Sequence, residues 1–148
     1  MAEQTQGGFL MSQIKQISGR IFDKLLAQAG VDAFNGAQGR ILYVLWQRDG
    51  IPIAELSQKT GLAKTTLTSM LDRMESADLI ARVADKADRR QIRISLTEKA
   101  HELSDQYDKV SREMNEIYYA GFLEDEIKTF ENTLRRIIAN LNEKEHDL

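Results

Sequence analysis

Between positions 64 and 73 the chain carries Lys64, Thr65, Thr66, Thr68, Ser69, Asp72 and Arg73, and between 85 and 90 it runs Asp-Lys-Ala-Asp-Arg-Arg. Short hydroxyl side chains offer a donor and an acceptor to a flat polar edge, and lysine or arginine beside them offers a cation to phosphate. Together they suit non-covalent recognition of a polyanion with patterned edges, which is a nucleic acid. Covalent and metal chemistry have less to work with. There is no cysteine, which removes disulfides, thiolate zinc sites and thiol oxidation sensing. The two histidines are His101 and His146. Glu98-Lys99-Ala100-His101 is a Glu-x-x-His with Glu102 and Asp105 nearby, but a two-metal bundle needs that motif twice and more carboxylates. It occurs once. We expect no metal, no cofactor and no catalytic residue.

The elements that must position these side chains follow from periodicity. Leu67, Met70, Leu71 and Met74 recur at i, i+3, i+4 and i+7, one apolar stripe along a helix over 64–77. Thr65, Ser69 and Asp72 fall opposite, with Thr68 beside them. Small hydroxyl residues leave such a face free to enter a major groove about 12 Å wide. A shorter helix precedes it and supplies Ile53, Ala54 and Leu56 to the core. Gly61 between the two takes the positive φ of a tight turn. Next, Gln91-Ile92-Arg93-Ile94-Ser95-Leu96 alternates polar and apolar, the period of a half-buried strand, and Leu79 to Ala84 offers it a partner. The tip at 85–90 is too long for a two-residue turn, and it puts Asp88 two residues before Arg90. An arginine there fits a minor groove, with the aspartate holding it by a charge-assisted hydrogen bond.

Leu56 to Leu96 resembles the MarR/SlyA family of transcription regulators. The likeness is carried by Asp72-Arg73-Met74-Glu75, by Asp85-Lys86-Ala87-Asp88-Arg89-Arg90, and by Leu96-Thr97. It implies a mainly α fold with a small β-hairpin wing, a winged helix-turn-helix with N- and C-terminal dimerisation helices. It also implies that Arg90 reads the minor groove, Asp88 orients it, Arg73 touches phosphate, and Thr65, Thr68 and Ser69 face the major groove. Lys64, Thr66 and Arg89 complete the expected DNA-binding set. Two positions depart from the pattern. Ser69 stands where many members have arginine, which withholds any borrowed base preference. Ala63 stands where many have a serine cap, and alanine is a poor N-cap.

Three further stripes flank this module. Leu10, Ile14, Ile17, Ile21 and Leu25 form one near the start; Leu103, Tyr107, Val110, Met114, Ile117 and Gly121 form a long heptad-like second; Ile127, Phe130, Leu134, Ile137 and Leu141 form the third. They exceed what a winged domain of roughly 45 residues covers, so a second copy is expected to bury them. Leu10, Ile14, Ile17, Ile21, Ile127, Phe130, Leu134, Ile137 and Leu141 are the expected dimer contacts. The resulting division is 1–36 for an N-terminal dimerisation helix, 37–97 for the DNA-binding domain and 98–148 for C-terminal dimerisation helices. A homodimer implies two recognition helices about one DNA turn apart and a pseudo-palindromic operator. The resemblance also implies a small-molecule effector cleft, for which Tyr43, Trp46 and Tyr107 are the candidates.

Charge distribution agrees with this layout. The net charge is −3 over 148 residues. Residues 1–52 hold five cations and four anions, 53–97 eight and six, and 98–148 seven and thirteen. The acidity therefore lies at the C-terminal end, and the middle segment carries +2, as expected if one face meets phosphate. No run approaches the roughly 18 apolar residues of a membrane span, and the polar, glycine-containing Met1 to Gly8 reads as a frayed end rather than a targeting signal. Pro52, the single proline, reads as a separator after Asp49-Gly50. The expected protein is a cytoplasmic, DNA-binding repressor and not an enzyme. Two other readings of the same residues are a winged-helix interaction module that does not bind DNA and a metal-dependent helical enzyme.

Overall fold

The structure is a computed structural model and describes residues 4–148. Part of the polar start, residues 1–3, lies outside them. In chain order the elements are α1 (Gly7–Gln28), α2 (Gly36–Gln47), β1 (Ile51–Pro52), α3 (Ile53–Thr60), α4 (Lys64–Ser76), β2 (Ile80–Ala84), β3 (Ile92–Leu96), α5 (Glu98–Glu102), α6 (Ser104–Tyr118) and α7 (Glu124–Asp147). The chain divides into two compact units, Met1–Arg112 and Glu113–Leu148. The expected mainly helical architecture with a hairpin wing is what forms.

The first unit is built around a core of Phe22, Leu26, Ile41, Leu42, Leu45, Ile51, Leu56, Leu67, Leu71, Met74, Leu79 and Ile94, each at most 2% exposed. Helix α2 starts on a reciprocal cap. The Asn35 carboxamide accepts from the Gln38 N–H at 2.8 Å, and the Gln38 side chain accepts from the Asn35 N–H at 3.1 Å. Helices α3 and α4 are joined by Gly61, whose φ of +76° closes α3 in the left-handed region. The Ser57 hydroxyl donates to the Leu62 carbonyl at 2.6 Å, and the Thr60 hydroxyl accepts from the Leu62 N–H at 3.2 Å, so the turn is tied on both sides.

Four expectations are corrected. Gly7 and Gly8 are helical rather than frayed, because the Leu10 N–H already donates to the Gln6 carbonyl at 2.9 Å. Ala54 is exposed and Ile53 half-buried; the core contribution here comes from Leu56 and from Ile51 just before the helix. Pro52 is more than a separator. Ile51 and Pro52 form an edge strand antiparallel to β3, pairing Ile51 with Ile94 and Pro52 with Arg93 in a sheet of order β1-β3-β2. Proline is tolerated there because an edge strand leaves one side of its backbone unpaired. Finally, the helical segment after residue 98 is two helices rather than one, with Tyr107 to Ile117 of the stripe on the second and Gly121 beyond its end. A short α5, started by the Thr97 hydroxyl accepting from the Ala100 N–H at 3.2 Å, ends at Leu103 before α6 begins.

The second unit holds the end of α6 and α7. The Glu126 carboxylate accepts from the Leu123 N–H at 2.9 Å at the start of α7. The Tyr119 hydroxyl donates to Glu131 at 2.8 Å, and the Tyr119 ring lies edge-on to Phe122 and Phe130. Burial, and then this carboxylate, push the Tyr119 phenol up to about 12.

Candidate nucleic-acid interface

Helix α4 is divided by chemistry. Leu67, Leu71 and Met74 are fully buried, while Lys64, Thr65, Thr66, Thr68, Ser69, Asp72 and Arg73 are all exposed. Packing α4 on its apolar stripe is what turns the hydroxyls outward. At its start Ala63 provides no side-chain cap, in agreement with the poor cap read from the sequence.

The wing is held at its base by a residue that sequence reasoning placed only in the tip. Asp85 is 8% exposed. Its Oδ1 accepts from the Ala87 N–H at 2.7 Å and the Asp88 N–H at 3.3 Å, and its Oδ2 accepts from Arg93 Nε at 2.6 Å. Arg93 Nη1 then reaches the Gly50 carbonyl at 2.9 Å, which fastens the tip to the turn before β1. The Arg93 guanidinium and these backbone donors hold the Asp85 carboxyl below the usual aspartate range.

At the tip, Asp88 Oδ1 accepts from Arg90 Nε at 3.2 Å and from the Arg90 N–H at 3.1 Å. The Arg90 side chain is 93% exposed. The structure thus brings together the pair singled out by its spacing and leaves the guanidinium projecting. Arg89 is exposed beside it.

One contact was not legible from the sequence reading. Arg82 on β2 donates from Nη2 to Asp72 Oδ1 at 2.7 Å and from Nη1 to Glu75 Oε1 at 2.8 Å. Asp72 is therefore paired rather than free on the groove side of α4. Carboxylates at i and i+3 share a helix face, and this was the available signal.

The three aromatics considered for an effector sit in one cluster. Tyr107 is 1% exposed and packs against Phe22, Phe34, Tyr43 and Trp46 with ring centroids 5.2–6.1 Å apart. Burial raises its phenol above the usual value, opposed by Arg40, whose Nη1 donates to the Tyr107 hydroxyl at 3.5 Å. Trp46 donates to the Ala100 carbonyl at 3.0 Å. Tyr43 is exposed. A groove of ≈ 410 Å³ shares Phe34 with this cluster and is otherwise lined by Asp23, Leu26, Ala27, Gly30, Val31, Asp32 and Asn35. His101 stands 3.4 Å from Asp49.

The expected dimer residues divide by exposure. Leu10, Ile14, Ile17, Phe130 and Leu141 are 43–62% exposed in the single chain. Ile21, Ile127, Leu134 and Ile137 are half-buried.

A helix-turn-helix followed by a hairpin wing, with hydroxyls on the second helix and arginine at the tip, defines a winged helix-turn-helix protein. Residues 34–92 match the model of the MarR family. The HTH-type transcriptional regulator YsmB of Bacillus subtilis (strain 168) is 32% identical over 100 residues, 68% of each chain. A MarR transcriptional regulator from Methanosarcina mazei Go1 shares the fold with a TM-score of 0.79 at 24% identity, over 92% of this chain and 96% of that one. A MarR variant from E. coli, solved with operator DNA, has a TM-score of 0.78 at 22% identity over 92% and 99%. The chain belongs to the MarR family and is a DNA-binding transcription regulator, not an enzyme. Among the described residues no helix is long and apolar enough to cross a membrane.

Proposed function

We propose that this regulator acts as a homodimeric repressor on a pseudo-palindromic operator, with α4 in the major groove and the 85–90 tip in the minor groove. The observation that carries this reading is the exposed α4 hydroxyl face together with an arginine at the wing tip held by Asp88. Thr65, Thr68 and Ser69 read base edges; Lys64, Thr66 and Arg73 meet phosphate and sugar; Arg89 and Arg90 approach the minor groove, with Asp88 setting the angle of Arg90. The division into 1–36, 37–97 and 98–148 assigns reading to the middle segment and self-association to the ends. The apolar residues exposed on α1 and α7 are covered by a second copy.

A small-molecule effector acts by changing the separation of the two recognition helices, and only by binding one spacing better than the other. Tyr43, with Trp46 and Tyr107 behind it, is the aromatic surface offered to such a ligand. This activity is cytoplasmic.

Selection of bound fragments from sheared genomic DNA, then anisotropy titration of the winner at several salt concentrations, tests the reading. A pseudo-palindrome with half-sites about one turn apart is expected, with binding that steepens by about 0.9 in log–log slope per phosphate neutralised. Arg90→Ala is expected to weaken that complex by roughly 1–3 kcal/mol. Parent-like affinity in the variant sinks the wing assignment, and failure to enrich any sequence sinks the operator.

A further inference from the structure

Strand β2 carries a cation on the face that its partner strand turns to the core. Pairing with β3 aligns Ile80 with Leu96, Arg82 with Ile94 and Ala84 with Ile92. Paired residues share a face of the sheet. Ile80, Ile94 and Leu96 are buried, so Arg82 occupies a core-side position while its neighbour Val83 is 49% exposed. A cation placed inward and a valine placed outward contradict the binary pattern of a half-buried strand, and such departures mark functional constraint.

The reason lies on α4. The Arg82 guanidinium, 22% exposed, stands between Asp72 and Glu75, 67% and 45% exposed. Nη2 also reaches the Thr68 carbonyl at 3.4 Å, and the Arg82 N–H lies 3.4 Å from Glu75 Oε2. One planar fork therefore ties two successive turns of α4 to the first strand of the wing. Without it, two carboxylates would stand on the helix that approaches phosphate, one residue either side of the Arg73-Met74 pair.

We infer that Arg82 is a positioning residue of the DNA interface: it neutralises the Asp72 and Glu75 carboxylates and locks recognition helix and wing into one reading unit. This rests on the proposal that α4 and the wing tip both meet DNA. The fork geometry is essential, because an ammonium is a point charge that cannot address two carboxylates and a carbonyl in fixed directions.

The test is anisotropy titration of a selected operator duplex and a scrambled duplex of equal length, with folding checked by circular dichroism. Arg82→Met is expected to lose about tenfold on the operator, the scale of a lost charge-assisted contact. Adding Asp72→Asn and Glu75→Gln should bring scrambled-duplex affinity back to within about threefold of the parent, while the operator-to-scrambled ratio stays low because the lock is gone. A merely structural arginine predicts no such charge rescue. Arg82→Lys should retain scrambled-duplex binding and lose discrimination. The inference is overturned if Arg82→Met binds the operator as the parent does, or if neutralising the carboxylates restores nothing. Should Arg82→Met fail to fold, Asp72→Asn with Glu75→Gln in the parent decides: discrimination falls if the lock matters, and unchanged discrimination overturns it. Arg90→Ala in the same series separates the two ideas. A loss there without one at Arg82 overturns the lock alone, and no loss at either overturns the interface as well.

Discussion

Adding one methyl group at two helical glycines should change stability in opposite directions. A Cβ built on Gly39 in α2 falls 2.7 Å from Tyr107 Cε2 and 3.2 Å from Phe34 Cε2, whereas one on Gly19 in α1 meets nothing within 4 Å. In both helices alanine gains about 1 kcal/mol of intrinsic propensity over glycine. At Gly39 that gain is opposed by overpacking, because the Tyr107 ring is hemmed in by four other rings and cannot retreat. Forcing a methyl into a packed core costs about 1–3 kcal/mol, so Gly39→Ala is expected to destabilise by about 1 kcal/mol net. Gly19→Ala is expected to stabilise by up to about 1 kcal/mol. Gly19 also lies across α1 from the Leu10, Ile14, Ile17 and Ile21 stripe, so self-association does not confound it. Thermal and urea unfolding at one fixed protein concentration would read a Tm shift of about 2–4 °C per kcal/mol for a chain of this size. In a Tyr107→Leu background, which removes the closest ring edge and leaves only Phe34 at 3.2 Å, Gly39→Ala should lose most of its penalty. If Gly39→Ala stabilises the parent as Gly19→Ala does, the account of this core is wrong.

Three other outcomes are expected. Gly61→Ala should destabilise by about 1 kcal/mol through its φ of +76° alone, since its Cβ meets nothing; an unchanged urea midpoint would refute this. Asp85 binds a proton less readily folded than unfolded, so its contribution is present above the unfolded aspartate value of about 3.9 and is lost as pH falls through the lower folded value. Asp85→Asn should therefore flatten the acid limb of stability against pH, and an identical limb in both proteins would count against the wing anchor. In ultraviolet titration one tyrosine should ionise near 12 and be missing from Tyr119→Phe; stability from this group is present below about 10 and lost as pH rises through the folded value.

The parts of the fold legible in sequence are those where one periodicity rules a long enough segment. Leu67, Leu71 and Met74 announced the buried side of α4, and the alternation from Gln91 to Leu96 announced β3. The Asp88–Arg90 contact was legible because its partners are two residues apart, so the backbone brings them together whatever the rest of the chain does. β1 was not, since two residues show no period and proline argues against a strand in general while being tolerated at an edge. Arg82 was missed for a different reason. Its partners lie 7 and 10 residues away on another element, and only the crossing of β2 over α4 joins them. Tyr107 falls on an apolar helical stripe, where an aromatic is more often core than ligand wall, and periodicity alone does not say which neighbours bury it. The structure buries it against α1 and α2 because Gly39 leaves room for its ring.

The two sides of α4 are independent in a way that bears on how such regulators diversify. Leu67, Leu71 and Met74 secure the helix from beneath, and none of Thr65, Thr68 or Ser69 donates or accepts a side-chain bond within the protein among the described residues. Substitutions at those three positions should therefore cost within about 0.5 kcal/mol of folding stability while changing which bases are preferred. A duplicated copy of this chain could acquire a new operator by a few surface changes without passing through an unfolded intermediate sequence, and a designer could retarget it by the same route.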